Sequence, residues 1–205
     1  MQKKVTRNIK WIFDKTISLT GLIALSPVFA SISVVIKFES PGLPIFFRQA
    51  RIGQYGKPFC LVKFRNMRPG ENDKSQHITV AGDPRITRIG RFLRKYKLDE
   101  LPQLWNVLKG DMSFVGPRPD VAGYADKLEG DDRIILTLKP GITCPATIKY
   151  RNEEELLARQ PDPKVYNDTV LWPDKVRLNR EYAKNNSFWG DLKIILQTIR
   201  VLKVR

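Results

Sequence analysis

Histidine and cysteine are almost missing from this chain: His77 stands alone, and Cys60 and Cys144 lie far apart with no metal-ligand partner near them in sequence. A Cys/His zinc site is excluded by supply, and no disulfide framework can be built from two such residues, so reduced cytosolic thiols are the expectation. Acidic residues are also scarce, 21 Asp+Glu against 36 Lys+Arg in 205 residues, a net charge of +15 that suits anionic partners. Disorder is excluded, because a chain that is 42% hydrophobic and 10% aromatic is too apolar for a basic tail. The length supports one compact domain and makes a second full domain unexpected.

The surplus charge is uneven. Residues 1–70 hold 12 Lys+Arg against only Asp14 and Glu39. Most of it flanks residues 17–36, which are 20 consecutive uncharged residues. As a straight helix at ~1.5 Å per residue they would match one hydrocarbon core, so membrane contact is expected. A cleaved secretory signal fits poorly, since the run is long and Asp14 and Lys15 stand just before it. Lys3, Lys4, Arg7, Lys10 and Lys15 precede the run and Lys37, Arg48, Arg51 and Lys57 follow it. Both flanks satisfy the positive-inside rule only if both stay cytoplasmic. Ser26-Pro27 at mid-run removes a backbone donor and implies a bend. A re-entrant hairpin that dips into one leaflet meets both conditions; a proline-kinked spanning helix is the alternative.

Beyond the run the pattern becomes that of a soluble domain. Short strands are expected within residues 43–64, around 43–47 and 58–64, with turn material at 53–56 and another strand near 113–116. Residues 67–83 are polar and glycine-bearing, a loop on which His77 is a solvated residue. Asp83-Pro84 is placed to open a helix whose buried face is Ile86, Ile89, Leu93 and Tyr96. Its other faces carry Arg85, Arg88, Arg91, Arg94 and Lys95, either a solvated face or a clamp for a diphosphate. Leu101, Leu104, Trp105 and Leu108 mark a second short helix that stops at Gly110.

Asp99 and Glu100 stand at the start of that second helix. Local pattern alone makes them a cap and a dipole partner. Their neighbours suggest more, because an arginine-rich helix precedes them and the stiff corner Gly116-Pro117-Arg118-Pro119 follows. Carboxylates amid such cations suit phosphate chemistry, by holding hydrated Mg²⁺ against a substrate's phosphates or by attacking phosphorus directly.

The segment 97–119 closely resembles the signature of the bacterial sugar transferase family, the monotopic phosphoglycosyl transferases. Similar blocks stand upstream in the same order: Phe47-Arg48-Gln49-Ala50-Arg51-Ile52-Gly53, Lys63-Phe64-Arg65-Asn66-Met67, and Asp83-Pro84-Arg85-Ile86-Thr87-Arg88-Ile89-Gly90. The resemblance covers roughly residues 8–143 and includes the Ser26-Pro27 break, which it marks as part of a re-entrant membrane helix. It implies transfer of a sugar phosphate from a UDP-sugar to polyprenyl (undecaprenyl) phosphate with release of UMP, starting lipid-linked glycan synthesis at the cytoplasmic face of the bacterial inner membrane. By the same resemblance Asp99 is the nucleophile and a ligand of the cofactor Mg²⁺, and Glu100 assists. Lys63, Arg94 and Arg118 are then the stronger candidates for phosphate or nucleotide contacts, Arg65, Arg85 and Arg88 the weaker.

The expected architecture is α/β (α+β) and helix-rich, with a membrane hairpin at 1–40 and a catalytic unit at 41–205, continuous with it and of the minimal single-domain form. Amphipathic interfacial helices complete it: in 187–205, Phe188, Trp189, Leu192, Ile195, Ile199 and Leu202 can line one face, with Lys193, Arg200, Lys203 and Arg205 for headgroups. Periodicity alone leaves that face open between lipid and protein core. Membrane lipids are expected partners, and downstream glycosyltransferases possible ones. The chain departs from the commoner family pattern at Cys144-Pro145-Ala146-Thr147-Ile148-Lys149-Tyr150-Arg151, which leaves the sugar open. Glu153, Glu154 and Glu155 read as helix-start acids, and Cys144 as a packing residue. A membrane-tethered basic nucleic-acid binder or a silent scaffold is the rival reading. Neither needs the carboxylate pair, and no zinc finger, helix-turn-helix or RNP pattern supports nucleic acid.

Overall fold

The computed structural model describes residues 2–69 and 79–203, with side chains from 7–69 and 79–201. His77 lies outside the described residues, as do Arg205 and the side chains of Lys3, Lys4, Leu202 and Lys203. The fold is helix-rich with two small sheets, a mixed α/β arrangement.

Helix α1 runs Gln2–Ala24 and α2 runs Ser26–Glu39, the two bent by 60° at a one-residue break. Pro27 falls in the first turn of α2, where its missing N–H has no intrahelical partner to lose. Within α2, Ser31 Oγ donates to Pro27 O at 2.9 Å, a serine back-bond of the kind that bends helices, while Ser26 is exposed. No single helix among the described residues is long and apolar enough to cross a membrane, whereas the bent pair together is.

The basic residues ahead of the apolar run are not simply a solvated flank. Lys10 donates to Val115 O at 2.7 Å and pairs with Asp191, Lys15 donates to Leu108 O, and buried Asp14 accepts from Phe114 N at 3.2 Å. These bonds fix the first half of α1 to the rest of the protein.

Strands β1 (Phe46–Ile52) and β2 (Pro58–Phe64) form an antiparallel hairpin, with Phe46 opposite Phe64 and Ile52 opposite Pro58. The first strand therefore begins three residues later than 43, because Pro41 and Pro44 hold the approach out of the ladder. Helix α3 is Arg88–Lys95, and Thr87, not Asp83, is its N-cap, its Oγ1 accepting from Gly90 N at 2.9 Å. Asp83 instead accepts from Arg85 N at 2.9 Å, a local turn that competes with helix. A Cβ on Gly90 would lie 2.0 Å from Asn66 O, so glycine is what lets α3 press against the segment leaving β2. Ile32, Ile36, Phe64 and Leu93 then bury together, which joins α2, the hairpin and α3. Tyr96, expected inside, is 46% exposed beside Phe92, their rings 4.9 Å apart.

Helix α4 (Gln103–Lys109) ends at Gly110 in the left-handed conformation, φ 102°. Its buried residues include Gln103, Leu104, Asn106 and Val107, while Trp105 faces out, 56% exposed. Apolar spacing put Trp105 inside, but Asn106 takes the inner place by bonding Val62 N at 3.1 Å and Cys60 O at 2.7 Å. Strands β3 (Ser113–Val115) and β4 (Gly141–Thr143) pair in parallel on either side of the Gly116–Pro119 corner and the turns after it. Helices α5 (Pro145–Lys149), α6 (Glu153–Ala158) and α7 (Pro163–Tyr166) lead to α8 (Trp172–Asn185) and α9 (Phe188–Lys203). The last helix is divided between a face on the core and an exposed face. Asp191, Ile194 and Ile195 face the core and Phe188 packs on Phe13 at 5.5 Å, while Trp189, Leu196 and Ile199 are exposed.

Candidate active site

Asp99 lies in a tight 3₁₀ turn, Leu98–Glu100, between α3 and α4. It does not cap α4, whose N-cap position is Pro102 with no side-chain cap bond. The turn is reached through Lys97 in the left-handed conformation, φ 56°, a state that costs a non-glycine residue ~1–3 kcal/mol and gathers at functional positions. Leu98 and Leu101 hold the turn by packing on the Phe64–Leu93 cluster.

The carboxylate of Asp99 is buried, 5% exposed, and its two oxygens are unequal. Oδ2 accepts from Asn66 Nδ2 at 2.7 Å, whereas Oδ1 has no hydrogen-bond partner among the described residues. Burial and the charge of Glu100 raise its pKa, and Lys63, Lys97 and Arg94 act against that rise. A buried carboxylate oxygen left bare has lost hydration without replacing it, which is costly unless a ligand completes the site. Lys63, on β2, makes no hydrogen bond among the described residues and stands over the Phe47 ring at 5.3 Å. Burial is the main cause that lowers its pKa, to about 8.

Glu100 points the other way and is satisfied: Arg118 Nη2 donates to its Oε1 at 2.7 Å. Burial raises its pKa, but Arg118, Lys97 and Lys63 more than reverse this, and the group stays ionised. Beyond Arg118 the charges alternate. Asp120 is influenced by Lys175, Arg51, Arg118 and Glu153, and burial pushes its pKa up to about 6. Glu153 holds Lys175 at 2.6 Å, and Glu154 holds Arg94 at 2.5 Å. Together these groups form a polar groove in which cations outnumber acids around one uncapped carboxylate oxygen.

Of the residues expected at the site, Asp99, Glu100, Lys63, Arg94 and Arg118 are brought together. Three others are placed elsewhere. Arg65 donates to Pro44 O at 2.8 Å and covers Phe47, Arg85 is held by Asp83 at 2.7 Å, and Arg88 is exposed at the start of α3 with no bond to either carboxylate. Asn66, Arg51, Asp120 and Lys175 join the groove without having been singled out for it. Asn66 and Arg51 sit inside two of the upstream blocks, so the signal was there. Asp120 and Lys175 carried none. The glutamates at 153 and 154 start α6, but they also pin two cations of the groove, which their dipole role did not foresee.

A profile of the bacterial sugar transferase family matches residues 5–205. The chain is 38% identical over 200 residues to the UDP-glucose:undecaprenyl-phosphate glucose-1-phosphate transferase of Escherichia coli (strain K12), covering 95% of this chain and 40% of that protein. It is 37% identical over 196 residues to the uncharacterized sugar transferase EpsL of Bacillus subtilis (strain 168), covering 96% and 88%. To the undecaprenyl-phosphate galactose phosphotransferase of Salmonella typhimurium the identity is 35% over 217 residues, covering 98% and 42%. The chain thus spans about two fifths of the length of the first and third of these relatives.

Proposed function

Since the chain belongs to the bacterial sugar transferase family, we propose that it moves a sugar phosphate from a UDP-sugar to polyprenyl phosphate and releases UMP. The observation that carries this reading is the asymmetry of Asp99, one oxygen anchored on Asn66 and the other bare among cations. In the first step Asp99 Oδ1 attacks the β-phosphorus of the donor. The bond from that phosphorus to the bridging oxygen breaks, UMP departs with the electron pair, and an aspartyl phosphosugar remains. In the second step an oxygen of polyprenyl phosphate attacks the same phosphorus, freeing the carboxylate and leaving a polyprenyl diphosphate sugar. Lys63, Arg94 and Arg118 neutralise the approaching phosphates, which act most strongly where water is excluded. Glu100, held by Arg118, fixes that guanidinium toward the acceptor.

The residues present fit Mg²⁺ in one respect. This small cation takes one or two carboxylates plus substrate phosphates and water, and the Asp99 carboxylate, incompletely bonded within the protein, would be one such ligand. When bound it would screen the diphosphate. No cluster of three acidic, histidine or cysteine ligands exists among the described residues, so the substrate's phosphates and water would have to supply the other ligands.

The bent α1–α2 pair serves the second substrate. Phe38, Ile23, Val34 and Val35 are exposed along it, which suits a hairpin entering one leaflet from the cytoplasmic side. The C-terminal half of α2 packs on the turn that carries Asp99, since Ile32 and Ile36 join the cluster that Leu98 and Leu101 border, and Glu39 accepts from Ile89 N at 3.1 Å at the start of α3. A headgroup phosphate at that depth would meet the groove. The test is to incubate the purified protein with a panel of UDP-sugars and polyprenyl phosphate, measure UMP, and map any phosphosugar on the peptide containing Asp99. Labelled Asp99 formed from donor alone is the expected result. A requirement for both substrates before any label transfer would overturn the two-step scheme.

A further inference from the structure

Asp120 is the one acidic group of the groove that nothing holds. Its side chain accepts no hydrogen bond among the described residues, although Arg118 stands two positions before it and Arg51, Lys175 and Glu153 act on it from β1, α8 and α6. Its backbone is fixed, since its carbonyl accepts from Ile52 N at 2.9 Å, so the side chain is carried by an ordered segment. The same segment borders a crevice lined by Ile52, Pro117, Arg118, Asp120, Trp172 and Asn179 among others. Asn179 is 6% exposed, and its Oδ1 is buried with no hydrogen-bond partner. Two oxygen acceptors on the wall of one crevice, Asp120 half-buried and Asn179 buried, therefore lack donors among the described residues.

We propose that Asp120 binds an uncharged, hydroxyl-bearing part of the donor substrate. The inference rests on the transferase reading above. An ionised carboxylate has no proton to give a phosphate, so outside the phosphoryl step itself Asp120 suits hydroxyl donors, while Lys63 and Arg118 suit the diphosphate. A free carboxylate takes two adjacent hydroxyls with its two oxygens, the geometry by which an acidic residue reads a ribose elsewhere. Trp172, whose ring meets that of Tyr124 at 5.1 Å, supplies apolar surface for the carbon face of a sugar ring. The crevice has room for little more than a water molecule. A sugar ring consequently lies against its rim, and a hydroxyl or a bridging water reaches Asn179. The hydroxyls belong either to the ribose or to the transferred sugar, and the chemistry required of Asp120 is the same.

The experiment compares wild type with Asp120→Ala and the isosteric Asp120→Asn. It measures kcat and KM for UMP release from several UDP-sugars, and the affinity of UMP and its 2′- and 3′-deoxy analogues by calorimetry. A hydrogen bond to a charged acceptor implies a roughly 10- to 100-fold rise in KM for Asp120→Ala, with a smaller change in kcat and partial recovery in Asp120→Asn. If ribose is the ligand, UMP affinity falls by the same factor, and deleting its hydroxyls weakens wild type but not Asp120→Ala. If the sugar is the ligand, UMP affinity holds and discrimination between epimeric donors narrows. Should Asp120→Ala fail to fold, Asp120→Asn carries the test through a several-fold rise in KM. Unchanged KM, affinity and discrimination in a folded variant, or a loss confined to kcat, would overturn the proposal. Absence of UMP release by wild type would instead sink the transferase reading itself.

Discussion

Two groups of buried carboxylates lie in this protein, and they are finished differently. At the junction of α1 and α9, Asp191 is paired by Lys10 and receives the Tyr182 hydroxyl at 2.6 Å, and Asp14 accepts a backbone N–H. At the groove, Asp99 is as deeply buried, yet one of its oxygens has no partner. The lysines differ in the same way. Lys10 has three acceptors within reach, Val115 O, Tyr182 Oη and Asp191, whereas Lys63 has none among the described residues. Equal burial with unequal satisfaction separates a finished joint from an open site, because only an incomplete site leaves room for a ligand to supply the missing partner.

The comparison is broken most sharply by exchanging the incompletely bonded acid for an amide. Asp99→Asn is expected to lose turnover by on the order of 10⁴-fold or more, the scale of removing a covalent nucleophile. Stability should hold or rise. The folded pKa of Asp99 is raised, so ionising it at neutral pH works against folding, and the amide removes that cost while keeping a bond to Asn66. Thermal melting together with UMP release checks both halves. A variant that melts lower and turns over normally would reverse the assignment of the two clusters.

Lys10→Ala tests the other side. It leaves Asp191 buried with a single hydroxyl donor, which is expected to cost about 3 kcal/mol, the lower end for breaking a buried pair, because the Lys10 side chain is 26% exposed. For a chain of this size that is a Tm drop of roughly 6–12 °C. Turnover per folded molecule should fall far less than in Asp99→Asn. A melting curve that does not move would show the joint to be solvated.

How much of this was legible beforehand follows the same division. The break at Ser26-Pro27, the hairpin strands and the stop at Gly110 are local, set by proline, alternation and glycine, and they stand where the sequence puts them within a few residues. The assembly of Lys63, Arg94, Asp99, Glu100 and Arg118 was legible through the family resemblance, since residues from β2, α3 and the 116–119 corner meet only in three dimensions. What was hidden is pairing. Lys10 and Lys15 look like flanking charge until Val115 and Leu108 present carbonyls to them. Trp105 looks like core until Asn106 takes its place with hydrogen bonds to β2. Arg85 looks like free charge until Asp83 is seen to hold it. In each case composition gives the charge or the apolarity of a residue, and only the fold gives its partner.

The smallest effect tests the unpaired lysine. With its pKa depressed to about 8 by burial, Lys63 is charged below that pH and neutral above it, so kcat/KM of the free protein should fall on the alkaline side, by roughly tenfold per pH unit once past the midpoint. Stability should move in the opposite sense. Between about 8 and the ordinary lysine value of 10.5 the folded state binds fewer protons at Lys63 than the unfolded chain, and folding is favoured as pH rises through that window. Lys63→Arg keeps its charge throughout and should carry the alkaline limb upward, with whatever plateau its larger fork allows. Lys10→Ala should leave the limb where it is. An alkaline limb that stays at the same pH in Lys63→Arg would assign it to another group and remove Lys63 from the phosphate contacts.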